Sequence, residues 1–216
     1  MKQIGNIYLT WRKGKGERRI PIGIIKRNKT QGTRFHYLEE GVKDAKKFGF
    51  SIYEGFPEIS TTYSNNVIEI FGQRIMRSER NDIKDFYDFW LIDKKNIKDV
   101  YYMLAYTQGI LPTDNYEFLA EFNSSKDLKF ITEISGLSKL KISSDSLKKG
   151  DILTYKKEPN NLYDEYAVKL FKGELFLGYI KIIHNRVFHR SNREFKISVQ
   201  HIEKNGVLNR VFLKIE

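Results

Sequence analysis

From about residue 150 onward the hydrophobic residues of this chain recur at every second position, and that period of two constrains the fold more than any other feature. Phe195, Ile197 and Val199 alternate with Lys196, Ser198 and Gln200, while Val207, Val211, Leu213 and Ile215 share one parity beyond an Asn205-Gly206 pair. Alternation of this kind gives a strand one apolar and one polar face, and Asn-Gly is a strong two-residue hairpin turn. A β-hairpin is therefore predicted here. Upstream, residues 151–157 and 166–171 read as strands, and Lys172-Gly173 turns the chain into a third over 175–180. Ile183, Val187 and neighbouring aromatics recur at helical spacing and predict a helix over 181–189. The expected result is a small barrel or curled sheet carrying one or two helices.

The first part of the chain has a different rhythm. Strands are predicted over 4–11 and 20–25, joined by the basic loop Arg12-Lys13-Gly14-Lys15-Gly16-Glu17-Arg18-Arg19. Phosphate contact is one reading of this loop, but Gly14-x-Gly16 lacks the following helix that a phosphate cradle needs, and a solvated connection is the favoured reading. A third strand over 34–38 leads into a helix over 39–48. Ile83, Phe86, Tyr87 and Trp90, following Asn81 as N-cap, then fall on one helical face. A further helix is predicted from Asn96 to near Gly109, with Ile97, Val100, Tyr101 and Leu104 along one side. These aromatic stripes read as core. Asp82, Asp85 and Asp88 read as a solvated face, and Asp114 with Glu117 as the capping of a short last helix. The polar run Asn123-Ser124-Ser125-Lys126-Asp127 reads as a linker, which divides the chain into an α+β domain over 1–126 and a barrel-like domain over 127–216.

Apolar residues make up 40% of the 216 and aromatics 14%, enough for packed cores. No apolar run approaches the ~18 residues of a membrane span, and the first residues lack the order of a secretory signal, so a cytoplasmic protein is expected. Many Ile, Lys and Asn and few Ala read as the codon usage of an AT-rich bacterial or phage genome. Without cysteine there are no disulfides, thiolate zinc sites or Cys nucleophiles. The net charge of +11 divides as +5 over residues 1–126 and +6 over the shorter 127–216. A positive field of this kind attracts phosphate backbones.

The most specific stretch is Lys157-Glu158-Pro159-Asn160-Asn161-Leu162-Tyr163-Asp164, followed by Ala167-Val168 and by Gly178-Tyr179-Ile180. Pro and Asn end a strand and brace a loop through side-chain to backbone bonds, which fixes where Tyr163 and Asp164 point. Tyr163 could stack under a base and Asp164 accept from a sugar hydroxyl. Equally, Tyr163 could pack on the barrel and Asp164 cap the loop.

Residues 130–216 resemble the HIRAN domains, in which a strand leads into Arg-Glu-Pro-Asn-Asn-Pro-Tyr-Asp, then Ala-Ile or Ala-Val, then Gly-Tyr-Ile. Lys157 stands for the usual Arg and Leu162 for the second Pro. The resemblance implies a DNA-binding module, including binding of single-stranded 3′ ends, that accompanies helicases or nucleases. It also implies binding roles for Asn161, Tyr163, Asp164, Tyr179 and Lys181. Ser138-Lys139 stands where an end-binding member has Arg-Tyr, so Lys139 keeps the charge while the aromatic platform is missing. Ile22-Gly23-Ile24-Ile25, Arg34-Phe35-His36-Tyr37, Gly55-Phe56-Pro57 and the 71–80 stretch resemble, more weakly, the N-terminal subdomain of HipA-type toxin kinases. The kinase core itself has no room in the chain.

Chemistry is hard to place. Phosphate-loop, zinc-protease, nucleophile-elbow and restriction-nuclease patterns are all missing, and His36, His184, His189 and His201 are scattered. No catalytic residue, metal or cofactor is expected. Two functions follow: a DNA-binding accessory protein of DNA repair, mobile-element or phage-defence systems, or a protein-interaction regulator of a toxin-antitoxin type, docking on a kinase-like partner.

Overall fold

The computed structural model of the protein describes residues 3–216, which fall into two compact units. One is Ile4–Glu121, and the other is Gln3 with Phe122–Glu216.

The first unit is α+β. Strands β1 (Ile4–Trp11), β2 (Ile20–Asn28) and β3 (Gly32–Tyr37) form a meander, and β4 (Tyr116–Phe122) adds beside β1 to give the order β3-β2-β1-β4. Ile7, Leu9, Ile22 and Ile25 are buried, and against them packs a ring cluster in which Phe56 and Phe71 lie 4.8 Å apart and Phe71 and Phe118 4.9 Å. Helix α1 (Glu39–Lys46) follows β3 and buries Val42 and Ala45, with acidic residues in its first turn and basic ones in its last, as the helix dipole favours. Helix α2 (Val67–Gly72) buries Val67 and Phe71.

Three expectations in this unit are corrected. Helix α3 (Ile83–Phe89) buries none of its own residues, so its aromatic stripe is half-exposed and only Trp90, just beyond it, is buried. The helix expected from Asn96 begins instead at Val100, where the Asp99 carboxylate accepts the Tyr102 N–H, and α4 spans Val100–Thr107. No helix follows Asp114. That carboxylate accepts from Arg74 at 2.6 and 2.8 Å and from the Tyr116 N–H, and the chain enters β4.

The second unit is a closed barrel of six strands in the order β10-β5-β8-β7-β6-β9. These are β5 (Phe130–Ser135), β6 (Ile152–Lys157), β7 (Val168–Lys172), β8 (Leu175–Ile180), β9 (Ile197–Asn205) and β10 (Val207–Ile215). Leu153, Val168, Leu170, Leu177, Ile197, Val199, Leu213 and Ile215 fill it. The terminal hairpin is present, but its parity differs from the simple alternation. Register shifts at Leu208/Arg210 and Phe212/Leu213 turn Leu208 inward and leave Val207 exposed. The helix predicted over 181–189 is confined to α5 (Arg186–Arg190), which buries Val187 and Phe188. The run expected to be a free linker is held down: Arg193 donates to the Ser125 and Lys126 carbonyls at 2.7 and 3.0 Å, and the Asn123 N–H donates to Gln3.

Candidate nucleic-acid interface

The β6–β7 loop is braced from within. The Glu158 N–H donates to the Ala167 carbonyl at 2.8 Å, which continues the strand pairing, and the Glu158 carboxylate pairs with Lys169 and accepts from Asn161 Nδ2 at 2.8 Å. The Asn161 Oδ1 accepts the Tyr163 N–H at 2.9 Å and the Asp164 N–H at 3.2 Å. Asp164 accepts the Tyr166 N–H on Oδ1 at 3.0 Å and Asn185 Nδ2 on Oδ2 at 2.6 Å. Both side chains thus fasten the loop: Asn161 is engaged through its oxygen and its nitrogen, and each Asp164 oxygen already accepts one bond. Asn185 is buried, and its Oδ1 has no hydrogen-bond partner.

What this scaffold presents is an exposed tip. Leu162 is 94% exposed and Tyr163 77%. Tyr163 is not a core residue. Tyr179 lies half-buried on β8, opposite Lys169 of β7 and within electrostatic reach of Glu158. Burial raises the Tyr179 pKa, and the Glu158 charge adds to the rise. The hydrogen bond from Lys169, reinforced by that from Asn161, holds the Glu158 carboxyl below the usual range.

Tyr179 also continues an aromatic ladder on the outside of the barrel, 5.4 Å from Phe176, which is in turn 5.7 Å from Phe171. Gly178 makes that alignment possible. Its φ of +119° lies in the left-handed region, and a Cβ there would meet the Ser135 carbonyl oxygen of β5. The irregularity it introduces brings Tyr179 onto the same side as Phe176, with Leu177 and Ile180 directed into the core.

Lys139 is exposed in a 3₁₀ turn, Leu137–Lys139, that follows β5 just past Ser135, the partner of Tyr179 in the sheet. Lys156 and Lys157 are also exposed. Lys181 is a correction. Expected beside Tyr179 on the surface, it is fully buried and paired with Glu133 at 3.0 Å, which also takes Arg210 at 3.0 Å. The chain turns inward after Ile180, and an ammonium can sit there only because a carboxylate meets it. Neither Glu158–Lys169 nor Asp164–Asn185 was legible in the sequence, since both join residues through the fold. Phe171 and Phe176 were read simply as strand residues.

Among the described residues no group of three or more His, Asp or Glu side chains is placed to hold a metal ion, and no helix is long and apolar enough to cross a membrane.

No family model matches the chain, and no curated protein does. Among solved structures, the crystal structure of the HIRAN domain of human HLTF aligns with 14% identity and a TM-score of 0.32, covering 40% of this chain and 74% of that one. With a score that low, no residue role passes from it to this chain. None of these comparisons supports the expected likeness of the N-terminal segment to HipA-type kinases.

Proposed function

We propose that the barrel unit is a nucleic-acid-binding module for single-stranded DNA or DNA ends, without catalysis of its own, within an accessory protein of repair, mobile-element or phage-defence systems. The observation that carries this reading is the tip: an aromatic ring, Tyr163, held in solvent on a loop whose polar groups are internally bonded. A ring carried on a braced backbone offers a stacking face with less of the loop to order on binding, and base-on-aromatic stacking is sequence-tolerant. Tyr179 backs the tip, while Lys139, Lys156 and Lys157 supply charge for phosphates.

Fluorescence anisotropy with a labelled single-stranded oligonucleotide tests it. Tyr163→Ala is expected to lower affinity by about 1 to 3 kcal/mol, roughly 5- to 150-fold, with thermal stability unchanged. Undetectable binding of the unmutated chain at low salt would sink the proposal. Equal affinity for free and blocked 3′ ends would remove end recognition alone, leaving strand binding.

One observation favours the second reading, a protein-interaction regulator with a kinase-like partner. Residues 151–180 contain four lysines and five carboxylates, so the loop and its flanking strands lack a positive excess of their own. With Leu162 as exposed as it is, a protein surface would also fit the tip. Tight binding to a protein, unaffected by competing DNA and lost with Leu162→Asp, would favour that reading.

A further inference from the structure

A pronounced local excess of positive charge lies in the other unit. The β1–β2 connection, residues 12–19, contains five basic residues and one carboxylate. Its two ends are clamped. Buried Glu117 of β4 takes Arg19 in a bidentate arrangement at 2.8 and 3.1 Å and Arg12 at 3.0 Å. The backbone is fixed as well: the Arg12 N–H donates to Asn115 O at 3.2 Å, the Glu17 N–H donates to Gly14 O, and Gly16 adopts a φ of +82° that closes the turn.

This arrangement sorts the charges by role. Arg12 and Arg19 hold the base of the loop, and one carboxylate serves both. Lys13, Lys15 and Arg18, between them, are exposed and form no ion pair among the described residues. Other basic segments of this unit are met in part by carboxylates: Arg27 in the 26–34 hairpin pairs with Asp99, and α1 mixes Lys43 and Lys46 with Glu39, Glu40 and Asp44, where Asp44 is paired with Lys47. Asp44 is within electrostatic reach of Arg18 but is already engaged in that way.

We propose that the 12–19 loop is a second nucleic-acid contact, binding the phosphodiester backbone through Lys13, Lys15 and Arg18. Three exposed cations on an anchored turn, with Glu17 the one carboxylate among them, complement a line of phosphates, and the turn contains no element that reads a base. The contact is therefore sequence-independent and strengthens as counterions are released. It requires no helix N-terminus or glycine cradle, and it does not depend on the Tyr163 tip.

The test uses the full chain and a single-stranded oligonucleotide titrated over a range of salt. Lys13→Ala/Lys15→Ala/Arg18→Ala is expected to lower the magnitude of the log K against log salt slope by about 2 to 3 and weaken all sequences alike. The control Lys94→Ala/Lys95→Ala/Lys98→Ala removes the same charge from an exposed segment elsewhere in this unit and is expected to leave most of the slope intact. Tyr163→Ala should weaken binding without changing the slope, which separates failure of the tip reading from failure of this one. Equal losses in the two triple variants would overturn the proposal in favour of a diffuse field. So would binding of phosphatidylserine vesicles, lost in the loop variant, while oligonucleotide binding is unchanged.

Discussion

Asn185 donates to the outer oxygen of Asp164 at 2.6 Å, so a residue buried at the start of α5 sets the position of a loop carboxylate twenty-one residues earlier in the chain. The Tyr166 N–H meets the other oxygen, and together they turn the chain from the exposed tip back into β7. Asp164 is thus first a fastening. It can reach a ligand only through lone pairs that these two donors leave.

If Asp164 and Asn185 act as one unit, their losses are not additive. Asp164→Ala, Asn185→Ala and the double variant, compared by urea unfolding, are expected to give a coupling energy of about 0.5 to 3 kcal/mol. Additive losses would show that the bond contributes nothing to the fold.

Lys181 separates a buried pair from a surface phosphate contact. Lys181→Ala removes a buried cation from Glu133 within the barrel wall, and a loss of about 3 to 5 kcal/mol in unfolding free energy is expected. A stable variant with weakened oligonucleotide binding would contradict the buried position.

Acid should loosen the tip's support before it unfolds the barrel. The Glu158 pKa is lowered in the folded chain, chiefly by Lys169 and then by Asn161, so the folded state holds this proton less readily than the unfolded one. The stabilisation from Glu158 is therefore fully present above the ordinary glutamate value of 4.5 and is lost as pH falls through the lower folded value. Amide exchange at Asn161 and Ala167, followed over that window, should accelerate in the unmutated chain and already be fast at neutral pH in Glu158→Gln. Exchange independent of both would refute the role given to Glu158.

The strands β6 to β10 were legible because their short apolar-rich runs, which alternate with polar residues in β9, are bounded by Gly- and Asn-containing turns. β4 and β5 were not, and the reason is electrostatic. Glu117 and Glu121 in one, and Thr132 and Glu133 in the other, are polar residues that the fold buries. They break the apolar pattern, and the partners that make their burial tolerable, Arg12 and Arg19 for Glu117 and Lys181 and Arg210 for Glu133, lie far away in sequence. The rigidity of the loop could be read from Glu158-Pro159-Asn160-Asn161, but the exposure of Tyr163 could not. An aromatic beside Leu162 reads as readily as core, and only the bonds that turn the backbone outward decide it. On β10, two irregularities change which residues face inward, and no residue type announces them.

Closure of the barrel limits how the second unit can be recruited. In a ring of six strands every strand has two neighbours, so strand addition is confined to the stretches beside the two seams, β5–β8 and β6–β9, that pair over only two residues each. Away from those seams a partner of this unit, polynucleotide or protein, is gripped by side chains and loop ends. Its specificity is then open to change by single substitutions at the tip, with the hydrogen-bonded ring beneath left as it is.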